Sequence, residues 1–164
     1  MVKFLGLFLL LSTVICCSSA FAEFEFVARG AAGVPTSNFS FVSTPSPMIA
    51  ADLTYGMSDY FQMGATYDHN FFSYKNGGGN GSETFYGAIA RFGFFSGTFV
   101  DFQGGLCSRD SSDTSFSWGA GLGYAMSVSP WVDFSPRFGY RSLPDGAVTR
   151  SMVDFGAMLT FKLF

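Results

Sequence analysis

The chain has 164 residues, a formal net charge of −3, 48% hydrophobic residues and only 13% charged ones. The length suits one domain, and mild acidity with scattered basic residues leaves no nucleic-acid footprint. Phenylalanine fills 22 positions and glycine 20; so much glycine is poor helix material, and no apolar run after Ala22 approaches the length of a membrane-spanning helix.

Lys3 precedes an apolar run from Phe4 to Cys17, and Ala20-Phe21-Ala22 has the Ala-x-Ala form of a signal peptidase site. The expectation is a signal peptide over 1–22, then one domain over 23–164. The run is shorter than the ~20 residues a spanning helix needs, and the bulky Ile15 before Cys16 opposes lipoprotein processing. Cleavage removes Lys3 and no acid, so nine Lys and Arg against twelve Asp and Glu become eight against twelve. One cysteine, Cys107, remains, and no intramolecular disulfide can form.

The rest reads as alternating segments of about ten residues, the signature of a transmembrane β-barrel. Strands are predicted at 24–34, 48–57, 60–69, 84–95, 98–107, 115–126, 131–141 and 151–164. The first puts Phe24, Phe26 and Ala28 on one face, with Glu25 and Arg29 on the other. The last puts Val153, Phe155, Ala157, Leu159 and Phe161 opposite Asp154, Gly156, Met158, Thr160 and Lys162. This period of two belongs to a strand. Long connections (35–47, 70–83, 108–114 and 142–150) alternate with short turns, which places both termini on the short-turn side. Pro136 falls inside the seventh strand with no N–H for the ladder, so a bulge or an end to regular pairing is expected there.

Every charge within these strands lies opposite the apolar face. A Lys or Arg facing mid-bilayer lipid costs ~2–4 kcal/mol, so the apolar face should meet lipid and the charges the lumen. The expected lumen network is Glu25, Arg29, Asp52, Arg91, Asp101, Asp133, Arg137, Arg141 and Asp154, with Asp68 and Lys162 nearer the ends. Eight strands enclose a space that side chains fill, so a salt-bridged plug is expected. Ser117, Gly119, Gly121 and Gly123 would make room for arginine stems. Tyr67, Tyr86, Trp118 and Tyr140 near the long loops, and Tyr124 and Trp131 near the short turns, are expected to mark the membrane borders.

Asp154, Gly156, Leu159 and Phe161 match the C-terminal assembly signal of bacterial outer-membrane barrels. Phe164 is out of phase with Phe161, so 162–164 reads as a short tail. Over nearly all of 23–164 the chain resembles the small eight-stranded outer-membrane barrels of the OmpA and OmpX type. The resemblance implies an all-β, antiparallel, up-and-down transmembrane barrel in a Gram-negative outer membrane. It also implies insertion by the barrel-assembly machinery, contact with outer-membrane lipid and lipopolysaccharide, and no cofactor. The expected role is structural or surface interaction through the four long loops. A narrow channel or hydrophobic-solute conduit, as in OmpW-like barrels, is the alternative. Lipid A modification is opposed by the lone histidine, His69, which Asn70 and Phe71 follow where that deacylase family has His-x-Ser. Asp110 and Asp113 are too few for a calcium loop, so no enzyme and no metal site is expected.

Overall fold

A computed structural model describes residues 23–37, 44–74, 79–109, 113–145 and 148–163. The signal peptide expected over 1–22, the tips of the long connections, Asp110 and Phe164 lie outside the described residues. The strands are β1 (Phe24–Ser37), β2 (Ser46–Ser58), β3 (Phe61–Ser73), β4 (Asn80–Gly93), β5 (Thr98–Arg109), β6 (Asp113–Tyr124), β7 (Met126–Ser129), β8 (Val132–Asp145) and β9 (Val148–Lys162).

All pairings are antiparallel, and β9 pairs with β1 to close the sheet. β6 and β7 both pair with β8 in one register, Gly123 opposite Arg137 and Met126 opposite Phe134. They are two halves of one stave, so the barrel has eight. Closure gives the apolar last strand a partner instead of an exposed edge. Phe161 lies opposite Phe26, and the Leu163 N–H donates to the Phe24 carbonyl at 2.7 Å.

The β6/β7 gap lies where Pro136 and Ser135 of β8 would meet Tyr124 and Ala125. Pro136 offers no N–H to that ladder, while on the opposite side the Ala125 N–H continues the β5 ladder by donating to the Gly97 carbonyl at 2.8 Å. On its other side Pro136 stays in register with Ala157. The end to regular pairing expected at Pro136 is therefore present on one side only, and it splits the expected strand 115–126 after Tyr124.

The register sets the tilt. Following paired residues around the barrel from Phe24 leads through Tyr55, Met63, Ala90, Phe102, Ala120, Tyr140 and Val153 to Val34. The line returns to β1 ten residues further on, a stagger that tilts eight staves by about 40°.

Apart from β7, the strands run 12 to 15 residues, more than the ~9–11 that cross a bilayer. The excess lies at the long-loop end. Much of what reads as loop at 35–47, 70–83, 108–114 and 142–150 is strand: β1 continues to Ser37, β3 to Ser73, β5 to Arg109 and β8 to Asp145. The Ser-, Thr- and Gly-rich sequence there has little strand propensity, but a closed barrel supplies a partner for every backbone N–H and C=O. At the other end the turns are tight. Ser96 and Gly97, with φ of 69° and 83°, close the β4–β5 turn.

The burial is inside out for a protein dissolved in water. Phe102, Leu122 and Phe155 are each at least half exposed, while Asp68 and Asp101 have no exposed surface. A lipid solvent around the apolar girdle accounts for both.

Candidate functional site

The site is the lumen. Inward positions alternate with outward ones along every stave, so a charge can be buried simply by its parity with the rest. All the expected network residues, Glu25, Arg29, Asp52, Arg91, Asp101, Asp133, Arg137, Arg141 and Asp154, point inward, as do Asp68 and Lys162.

Four arginines and four aspartates form the core. Arg29 Nη2 donates to Asp68 Oδ1 at 2.7 Å and reaches Asp52 Oδ1 at 3.3 Å. Arg91 joins Asp52 from below at 3.5 Å, and Arg141 pairs with Asp68 from above. Arg137 forks onto Asp101, with Nε to Oδ2 at 2.8 Å and Nη2 to Oδ1 at 2.7 Å, and its Nη1 donates to Asp154 Oδ1 at 2.7 Å. The Thr66 hydroxyl donates to Asp52 at 2.7 Å, and Arg141 also donates to Gln103 Oε1 at 3.1 Å. Opposite charges in equal number, tied by charge-assisted hydrogen bonds, let ions sit in a site without bulk water.

Sequence and structure part at three of these residues. Asp68, expected nearer an end, sits in the core and bridges Arg29 and Arg141, because β3 continues past it to Ser73. Asp133 is at the short-turn mouth, paired with Lys162 at 3.0 Å. Glu25 is inward and 6% exposed but makes no ion pair among the described residues. The excess of acids counted from the sequence thus resolves into a balanced core with Glu25 below it.

Glycine opposite arginine makes the packing fit. A Cβ at Gly121 would overlap the Arg137 guanidinium, and one at Gly139 would overlap both Arg137 and Asp154. A Cβ at Gly123 would run into the Phe99 ring. Three arginines also rest on inward aromatic rings: Arg91 over Phe99 at 5.0 Å, Arg141 over Phe85 at 4.6 Å and Arg109 over Phe72 at 5.1 Å. Sequence reading missed these rings, since phenylalanine in such a chain reads as lipid-facing. Parity was the available signal: Phe99 lies two residues from Asp101, and Phe85 six from Arg91.

A second cluster lies at the long-loop end. Glu83 Oε1 accepts from Arg109 at 2.7 Å and from Arg150 at 3.4 Å. All three fall in ranges read as loop, and they face inward because the strands extend. Cys107 is buried against Phe85. His69 faces outward, its Nδ1 3.0 Å from the Thr84 hydroxyl and its ring on Phe71. Asp68 points to the opposite face. Among the described residues, no three His, Cys, Asp or Glu side chains converge as metal ligands.

Outside, Tyr67 lies opposite Tyr86, and the Trp118 ring packs 5.7 Å from Tyr140. At about 2.5 Å of height per tilted residue, these four lie roughly 18–30 Å above the short turns of their own staves. Tyr124 and exposed Trp131 lie close to the short turns. Of the assembly pattern, Asp154 and Gly156 face in, while Leu159 and Phe161 face out.

No protein-family model and no curated protein matches the chain. Solved structures match in fold. Neisserial surface protein A is similar over 85% of this chain and 97% of its own, with TM-score 0.70 and 18% identity. Ail, the attachment invasion locus protein of Yersinia pestis, matches over 85% and 99%, with TM-score 0.63 and 14% identity. The outer membrane protein OprG from Pseudomonas aeruginosa matches over 87% and 97%, with TM-score 0.55 and 11% identity. The chain has the fold of the small eight-stranded outer-membrane β-barrels.

Proposed function

We propose that residues 1–22 export this chain and that the barrel-assembly machinery inserts it into the bacterial outer membrane through Asp154, Gly156, Leu159 and Phe161. Both termini then face the periplasm, since outer-membrane barrels keep their short turns on that side. Tyr124 and Trp131 border one side of the bilayer, and Tyr67, Tyr86, Trp118 and Tyr140 the other. The protein works as a non-conducting scaffold that carries its long connections to the cell surface.

The observation behind this reading is the ion-paired core. Arg29, Arg91, Arg137 and Arg141 interlock with Asp52, Asp68, Asp101 and Asp154 across the lumen. Opening it would separate several buried pairs at once, and a buried charge left without its partner costs about 3–5 kcal/mol. The strand extensions beyond the bilayer support a surface role. They hold the loops clear of the headgroups, and Ser82, Thr84, Ser108 and Thr114 on their outward face can hydrogen-bond with lipopolysaccharide or another surface. Ail, which shares the fold, was crystallised with the heparin analogue sucrose octasulfate. With His69 turned away from Asp68, the reading assigns no acid–base catalysis.

Planar-bilayer recording tests it. The purified barrel is expected to give no discrete current steps. Discrete, salt-dependent steps would overturn the closed lumen in favour of a narrow channel or solute conduit.

A further inference from the structure

The lumen is not filled to both ends. At the short-turn mouth it opens into a cleft of about 310 Å³ beneath the ion-paired core. Glu25 lines this cleft and is 6% exposed. Asp52, Asp68, Asp101, Asp133, Asp154 and Glu83 each have an Arg or Lys within ion-pair distance, and Glu25 has none among the described residues. Its side-chain hydrogen-bond partner is the neutral amide of Gln62. Two cations act on it without pairing: Arg91, which also lines the cleft and lies 3.5 Å from Asp52, and Lys162, which pairs with Asp133 at 3.0 Å.

A shielded carboxylate with no ion pair of its own is unfavourable unless it takes up a proton or a cation joins it. The cleft walls show which cation fits. Ser135 and Thr160, 1% and 5% exposed, line it with hydroxyls that can accept hydrogen bonds. Phe99 and Met158 line it with apolar surface. An ammonium group has three donors to satisfy, and a carboxylate with two hydroxyls offers four acceptor oxygens. The apolar side suits a short alkyl chain, which a bare metal ion lacks.

We propose that this cleft is a binding site for a small aliphatic amine, with its ammonium on Glu25 and its chain against Phe99 and Met158. The site does not depend on whether the core above it conducts.

Putrescine titrated into the isotopically labelled barrel, refolded in detergent micelles, tests the proposal by amide chemical shifts. Saturable shifts at Thr98, Ser135 and Thr160 are expected, and Glu25→Gln should weaken them by about tenfold or more. Asp59→Asn, at the exposed rim, should weaken them by less than about threefold. Shifts reproduced by potassium chloride at equal ionic strength, shifts confined to the long-loop end, or no saturable shift would each overturn the site. So would a folded Glu25→Gln variant that binds like the parent. Heat-modifiable gel mobility establishes folding, and if Glu25→Gln does not fold, the position of the shifts in the parent protein decides.

Discussion

Arg137 and Asp101 are joined by two parallel hydrogen bonds of 2.8 and 2.7 Å although β8 and β5 are not neighbours. The fork spans the width of the intervening stave, and Gly121 of that stave lies directly beneath the guanidinium. The pair therefore ties the two sides of β6 together through the lumen, independently of the backbone ladder.

Removing one partner should cost more than removing both. Arg137→Met leaves Asp101 and Asp154 buried without their guanidinium, and a loss of about 3–5 kcal/mol is expected. The double variant with Asp101→Leu should lose less than the single one, because only Asp154 is then left uncompensated. Urea unfolding of the barrel in lipid vesicles measures both. A double-variant loss equal to the sum of the Arg137→Met and Asp101→Leu single losses would show that the fork contributes no coupling.

Glycines on the two faces should respond differently. Gly121→Val places carbon where the Arg137 guanidinium lies and should abolish or strongly reduce folding. Gly30→Val faces outward with nothing within 4 Å of the added Cβ, and a change within about 0.5 kcal/mol is expected. The fraction of protein showing heat-modifiable mobility after refolding compares them. Similar yields would mean that the Arg137 side chain has an alternative position.

Charges on the apolar girdle should be penalised by depth. Phe102→Lys, on a residue 52% exposed near mid-height, should cost ~2–4 kcal/mol in a bilayer, and Phe94→Lys, beside the short turns, ~0–1 kcal/mol. Urea titration in vesicles gives the two values, and equal costs would put this face in contact with something other than hydrocarbon.

Much of the barrel is legible in the chain because a lipid solvent imposes a strict rule on parity. Glu25 and Arg29, or Asp133, Arg137 and Arg141, share a face with no exception, so strand phase can be read off the charges. Asp68 could be phased in this way but not placed in height. The residues after it, His69 to Ser73, carry no end signal, and where β3 stops depends on what β4 offers it. Glu83, Arg109 and Arg150 were hidden for the same reason. Phe72, Phe85 and Phe99 were obscured by chemistry, since a ring suits lipid on one face and an arginine plane on the other.

The order of residues alone decides which side chains turn inward and which outward, how many staves there are, and where Pro136 must interrupt a ladder. These are local matters of alternation and missing donors. Which Asp meets which Arg is decided only when the sheet closes with its ten-residue stagger. That stagger brings side chains from staves far apart in sequence to one height, where they pair as Arg137 does with Asp101 or, like Glu25, form no ion pair among the described residues.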